Sequence, residues 1–537
     1  MPKTLDEKLT EEALREIKQE KKEDGKVNYL MSFPNLVDLV ENEDHKLEYL
    51  IYDPESKKCE VTPVIVIDDK TYEPPPKRLL PHNILFPAKD KVFQYINDRK
   101  NSRIELTGTN HIKNGDDSDV HEESDKNGIV TKNINSLQSA SKSKSKKKTS
   151  DEKNPSMMMT LYNNNIYEYD ISLYNDIISY YKERAELPQE NLYDLLAIWA
   201  FHTYAMERAD FSPIIYFLGL PEKGKSRMLK SMIYIARRGL RKISLTDAQI
   251  LRDCTHIDAT LALDMMDLWK KVEKSGSEDV FLNRPERGID VSRVNRPERG
   301  AFADTDYYTV FGPTVFATNE TIHEILDTRA IPIVMVNSVK EYSLMVKPED
   351  ALPIKERLTA WRASTMGEEW SPVPRIARSR LGDITQPLFQ AMLYVNPAGV
   401  DALKSAVGEI EKKRLAEKVD TTTGQLLISL LKAKDSMVAG CIKGQLIANY
   451  YNEGNSDVRY KIQSRTILNR LRSMGLETRQ MGGGNMGVVW NDHRIDALKL
   501  EFGIDIENIV TISESSQTTP MSQTSLESDT PQWNPNI

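Results

Sequence analysis

Cysteine is scarce in this chain: Cys59, Cys254 and Cys441 are the only three in 537 residues, far apart and without a CxxC pair or a nearby pair of histidines. That excludes a disulfide framework and a thiolate zinc site from the expectations and fits a reducing compartment. Long apolar runs are missing too, since none approaches the ~20 residues that a membrane-crossing helix needs. A soluble, cytoplasmic chain with no membrane partner is therefore expected. Positive charge is not in surplus, because 72 Lys and Arg against 80 Asp and Glu leave a formal charge of -8. This excludes a protein coated in basic charge, such as a nucleic-acid packaging factor, and any contact with phosphate backbones must be local. Aromatic residues vanish between Asn101 and Thr160, where Ser, Asn, Asp and Lys accumulate up to SKSKSKKKTSDEKN. Such a composition builds no core, so residues 101–160 are expected as a disordered polar linker. Its lysines between Lys142 and Lys148 are a solvated tract or a loose contact with DNA phosphates. The polar, proline-punctuated tail 511–537 reads as disordered as well.

What remains is too long for one hydrophobic core and divides into three folded parts. In residues 1–100, a charged, helical N-terminus precedes KLEYLIYD and CEVTPVIVID, two strands bounded by turn residues, and then a short helix. This is a small α+β module without recognisable chemistry. The second part spans 161–400. It opens with NLYDLLAIWAFHTYAMERAD, apolar at helical spacing, whose His202 reads as a packed helix residue rather than a ligand.

The chemistry begins after this helix. SPIIYFLG is the short, continuous apolar run that a parallel strand buried on both faces requires. It leads into GLPEKGKS, and then into RMLKSMIYIARRG, helical in period and closed by glycine. Strand, G-x-x-x-x-G-K-S and helix together form the setting of a phosphate-binding P-loop, here Gly219, Leu220, Pro221, Glu222, Lys223, Gly224, Lys225 and Ser226. Glycines let the backbone wrap its amides round the phosphates of ATP, and the helix start adds the positive end of its dipole. Lys225 is placed to reach the β and γ phosphates, and the Ser226 hydroxyl to ligate Mg2+.

A P-loop needs a second strand with a carboxylate for the metal side. THIDATLALDMMDLW offers TLAL with Asp264 at its end, where ligands bind in open α/β sheets. Many ATPases carry a water-polarising glutamate next, and here stands Met265, which cannot act as a base. Asp267 is then either a substitute base or an exposed carboxylate at a helix start. Another apolar strand, FGPTVFATN, ends in Asn319, a residue suited to orienting water or a simple strand-end turn residue. Arg329 precedes a further buried strand in EILDTRAIPIVMV, and either reaches the γ-phosphate of a neighbouring subunit or pairs with Asp327.

The order FLGLPEKGKSR, LTDAQILRD, TLALDMMD, VFGPTVFATN, LDTRAIPIVM resembles the helicase-type P-loop ATPases of phages, plasmids and integrated mobile elements, often described as primase/helicase or replication ATPases. The resemblance covers roughly Leu161 to Leu393. It implies a P-loop NTPase core with a parallel sheet (AAA+/RecA-like), ATP and Mg2+ as cofactors, and an oligomer, a ring included, that works on DNA. Gly219, Gly224, Lys225, Ser226, Asp264, Asn319 and Arg329 match its motifs, whereas Met265 departs from the acidic pair. RSRLGDITQPLFQAM resembles the helical lid of the family, with Arg378 or Arg380 as nucleotide sensor.

NRPERG occurs twice, at Asn283–Gly288 and Asn295–Gly300, separated by IDVSRV. Charged, glycine-ended turns around an alternating segment suggest a hairpin, and in related ring helicases a hairpin here points into the DNA channel. Arg284, Arg287, Arg293, Arg296 and Arg299 then meet phosphates; alternatively they pair internally with Glu286 and Glu298 on a duplicated surface loop. The third part, 421–504, reads as a C-terminal winged helix. TTTGQLLISLLKAKDS, KGQLIANYYNE and SRTILNRLRSMG are its helices, and LETRQMGGGNMGVVW is a hairpin with a glycine turn. Arg465, Asn469, Arg470 and Arg472 on the third helix, with Arg479 on the wing, are the expected DNA contacts.

These features point to an ATP-binding and ATP-hydrolysing, DNA-associated motor or replication initiator, helicase-like and belonging to a mobile element. The alternatives are an ATP-switched DNA-binding regulator that does not hydrolyse, and an interaction protein with a degenerate P-loop.

Overall fold

The structure is a computed structural model, and it describes residues 33–103, 167–453 and 461–504 apart from positions 34, 68, 245, 266, 301–302, 321 and 339. The expected N-terminal helix, residues 104–160 of the expected linker and the tail 511–537 lie outside the described residues. The chain forms two compact units, Met1–Ile410 and Glu411–Ile537.

The first unit starts with β1 (Leu36–Glu41), β2 (Leu47–Asp53) and β3 (Lys58–Thr62), antiparallel in that order, then a hairpin of β4 (Ile65–Ile67) and β5 (Lys70–Tyr72) and the helix Lys89–Asn101. Strand β1 was not expected from the sequence. Asp38 interrupts its apolar run, and its burial makes sense only with Arg238 Nε at 2.8 Å and Arg237 Nε at 3.5 Å, from far along the chain. Burial alone would raise the Asp38 carboxyl, but the two guanidinium groups outweigh it and hold the group down at about 2. Arg362, also buried, donates to the Val37 carbonyl at 2.9 Å. Val37, Val40, Leu50, Val92 and Ile96 pack in one cluster with Ala360 and Ala363 of the helix Pro348–Thr365. The N-terminal strands thus pack in the same compact unit as the residues that follow.

The five strands β6 (Ile214–Leu218), β7 (Gly239–Lys242), β8 (Thr260–Asp264), β11 (Thr314–Thr318) and β12 (Ala330–Val334) make one sheet in the order β12-β6-β11-β8-β7. All four pairings are parallel. Between β8 and β11 the chain forms an antiparallel hairpin of β9 (Asp290–Val294) and β10 (Thr305–Thr309). Burial on both faces explains the continuous apolar runs. Alternation sends Ile215, Phe217, Val315 and Ala317 to one cluster, with Trp199, Met228, Trp361 and Leu388 of the covering helices. Tyr216, Leu261, Leu263 and Phe316 go to the other, with Ile250, Leu268 and Phe281. Pro332 is tolerated because β12 lies at a sheet edge. His202 is buried against Ser212 Oγ at 2.9 Å, and burial pushes its imidazole down to about 3, as a packed residue requires.

The second unit holds helices Thr422–Lys432, Gly444–Glu453, Ser464–Ser473 and Asp492–Phe502, with strands β13 (Cys441–Lys443), β14 (Thr478–Gln480) and β15 (Met486–Val489). The antiparallel sheet runs β13-β15-β14, and Gly482–Gly484 make the turn between β14 and β15. Leu426, Leu430, Ile447, Ile467, Leu471, Val488, Ile495 and Leu498 form its core. Thr421 starts the first helix by accepting from the Gly424 amide at 3.2 Å. Among the described residues no helix is long and apolar enough to cross a membrane.

Candidate functional site

The C-terminal ends of β6, β11 and β8 lie side by side, because β11 is hydrogen-bonded to both of the others. Each end delivers one part of a cleft of about 520 Å³. From β6 the chain turns through Gly219 to Gly224 into the helix Lys225–Ile235. Gly224 has φ 78, which a side chain resists, and a Cβ on Gly219 would sit 2.9 Å from the Met335 carbonyl oxygen. Glu222 also takes a left-handed φ of 66, unusual for a residue with a side chain. The loop that results lines the cleft from Pro221 to Ser226. Gly219 and Leu220, also expected in the site, lie at the loop's entry: Lys225 Nζ donates to the Gly219 carbonyl at 2.7 Å and to that of Leu220. Burial lowers the Lys225 ammonium below its ordinary range, with the Asp264 charge opposing.

From β8 comes Asp264. Its Oδ1 accepts from Ser226 Oγ at 2.7 Å, and its Oδ2 from Arg241 Nη2 at 2.6 Å. A hydroxyl and a carboxylate oxygen this close are the protein half of a site for a hard cation that takes its other ligands from phosphates and water. The residues therefore fit a hard cation such as Mg2+, which Ser226 and Asp264 could hold. From β11 comes Asn319, between the other two strand ends and in the cleft lining. Met265, 5% exposed, lines the cleft beside Asp264, and Met345 and Val346 supply its apolar wall.

Two of the three expected catalytic residues do not line this cleft. Asp267, at φ 52, opens the helix Leu268–Ser275 with its side chain half exposed and 3.5 Å from Lys270 Nζ. A hydrogen bond shared with Glu320, and then the charge of Lys270, hold its carboxyl below the usual range. Arg329 donates to the Ile325 carbonyl at 3.1 Å. Burial, then the charge of Arg380, lower its guanidinium, with Glu286 opposing. Arg380 is salt-bridged to Glu286 at 3.2 Å, and neither it nor Arg378 is in the lining. Residues that sequence reasoning missed are Arg241, Met345 and Val346. Nothing in the Arg241 segment marks it, since its partner comes from the next strand of a sheet known only once folded.

The NRPERG copies part company. Arg284 is 1% exposed and donates to Thr314 Oγ1 (2.7 Å), Cys254 Sγ (2.9 Å) and the carbonyls of Val310 (2.7 Å), Pro313 (3.1 Å) and Ala259. Arg287 donates to the carbonyls of Ala209 (2.7 Å) and Met206. Arg293, on β9, is held by Asp247 and Asp279, both at 2.7 Å. Of the two readings of these three, phosphate contact gives way to pairing within the fold, where their donors are committed. The expected hairpin exists, but IDVSRV supplies only its first strand, and the second NRPERG forms its turn, with Arg299 exposed.

In the second unit, Arg465, Asn469, Arg470 and Arg472 are exposed on the helix Ser464–Ser473, opposite Ile467, Leu468 and Leu471. Arg465, Asn469 and Arg472 fall on one stripe, by their i, i+4, i+7 spacing. Arg472 ties that stripe to β14, donating to Thr478 Oγ1 at 2.6 Å and to Asn469 Oδ1 at 3.0 Å. Arg479 is exposed on β14.

No protein-family model and no curated protein matches the chain. Among solved structures it is similar to the A-form apo structure of the NrS-1 C-terminal region, at 14% identity and a TM-score of 0.30, over 60% of this chain and 75% of that one. A second such structure, of NrS-1 residues 305–718, gives 13% identity and 0.26 over 60% and 74%. The active helicase Cch of SCCmec type IV gives 12% and 0.25 over 63% and 71%. Likenesses this slight carry no argument about activity.

Proposed function

We propose that the first unit binds Mg-ATP in the cleft between Lys225, Ser226, Asp264 and Asn319, and hydrolyses it to drive work on DNA, as a motor or replication initiator of a mobile element. The observation that carries this reading is the convergence of Ser226 on Asp264 at 2.7 Å, at the mouth of a strand-to-helix glycine loop. Loop amides and the helix start take the phosphates, and Lys225 turns its ammonium from the loop carbonyls to the β and γ oxygens. Ser226 and Asp264 hold Mg2+, which neutralises charge on the phosphates. Asn319 orients the attacking water. Asp267, outside the cleft lining, is the carboxylate we assign to activating that water, Arg329 acts across a subunit boundary in a ring, and the second unit docks DNA as a winged helix through Arg465, Asn469, Arg470, Arg472 and Arg479. Arg296 and Arg299 at the hairpin turn are the further DNA contacts.

Equilibrium binding of a fluorescent ATP analogue to the full chain tests the site. Lys225→Ala abolishes tight Mg-dependent binding while circular dichroism and thermal melting stay those of the wild type. Unchanged affinity in the folded variant refutes the assignment. One observation favours a second reading: Met265 lines the cleft where a base is needed. On that reading ATP binds without turnover and switches DNA binding.

A further inference from the structure

We infer that Arg241 is the positioning residue of the metal site, and that the N-terminal segment acts on the site through it. This rests on the nucleotide reading above and deepens it. Arg241 is not among the cleft-lining residues, yet its guanidinium takes one of the two oxygens of Asp264 at 2.6 Å, with the Asp264 side chain 14% exposed. Ser226 takes the other. A carboxylate with a single partner swings about its χ angles. With Oδ2 clamped by a planar guanidinium, Oδ1 is held toward Ser226 Oγ, and together the two would hold the cation.

The clamp is itself anchored. Arg241 lies on edge strand β7, opposite Ala262 of β8, with Leu240 beside it fully buried. Lys242 is fixed to Asp253 at 2.6 Å. Asn83 Nδ2 donates to the Arg241 carbonyl at 2.9 Å, and just before the strand Arg237 and Arg238 are joined to Asp38 of β1. The N-terminal segment therefore holds β7 just before its start and at Arg241, and Arg241 is the charged side chain that β7 sends to the metal carboxylate. A role for the N-terminal segment follows: it sets the orientation of Asp264 through Arg241.

The guanidinium also repels a dication, which works against metal affinity. The two effects have opposite signs, and the measurement separates them. Mg2+ is titrated into full-length protein with a fluorescent ATP analogue, and bound analogue is read directly, without turnover. For Arg241→Gln the Mg2+ needed for half-saturation rises roughly 10- to 100-fold, as for other lost outer-shell partners, while analogue affinity in EDTA is unchanged. Arg241→Lys recovers part of the loss. Asn83→Ala, an exposed change that leaves the ion pair in place, shifts the requirement a few-fold in the same direction and covers the case of a poorly folded Arg241→Gln. Equal or lower Mg2+ requirements in Arg241→Gln and Asn83→Ala overturn the inference and leave the site intact. A wild type that never binds the analogue removes the site and the inference together.

Discussion

The two copies of NRPERG have the same six side chains and opposite fates. In the first, Arg284 is sealed in the core and Arg287 pins the segment leading to β6; in the second, the same hexapeptide is a hairpin turn with Arg299 exposed. The difference lies in what precedes each copy. Val280 and Phe281 are buried on a short helix, and Arg284, four residues after Val280, continues that inward face and donates its amide to the Val280 carbonyl at 2.9 Å. The second copy follows a strand and enters a turn, so its side chains have no core to enter. A charged motif takes its role from the periodicity it inherits.

Three substitutions sharpen the contrast. Arg284→Ala strands several buried carbonyls and leaves a cavity, so denaturant unfolding of the full chain registers a loss of at least ~3 kcal/mol. A loss below ~1 kcal/mol breaks the contrast at its stronger end. Arg287→Ala, part-buried with two carbonyl partners, costs an intermediate ~1–2 kcal/mol in the same measurement. A loss as large as that of Arg284→Ala makes the whole first copy one buried unit. Arg299→Ala changes stability by no more than ~0.5 kcal/mol. Instead it flattens the dependence of log K on log salt for single-stranded DNA by about 0.7. Salt slopes that do not move remove the hairpin from the DNA surface and leave that task to the second unit.

The same contrast explains what was readable beforehand. Continuous apolar runs announced β6, β8, β11 and β12, and the glycine spacing announced the loop between Gly219 and Ser226, because those signals are local. The helix Ser464–Ser473 was legible in SRTILNRLRSMG for the same reason. β1 was not, since Asp38 is an exception to apolar burial that only Arg237 and Arg238 account for. Neither was Arg241, whose charge looks like any surface residue until β7 is set beside β8. Buried ion pairs between distant segments leave no periodic trace. Nor do buried hydrogen bonds to distant carbonyls: Arg284 and Arg287 were misplaced for want of such a trace, and Arg293 for want of a signal from Asp247 and Asp279.

The most direct test of the account is steady-state phosphate release by the full chain, with Mg-ATP alone, with single-stranded DNA and with duplex DNA. The account predicts turnover that DNA stimulates, that Lys225→Ala abolishes, and that Asp267→Asn cuts by ~10² or more if that carboxylate activates the water. Mg-ATP that binds but is never hydrolysed, with either DNA present, contradicts it and makes Met265 the mark of a nucleotide-gated switch.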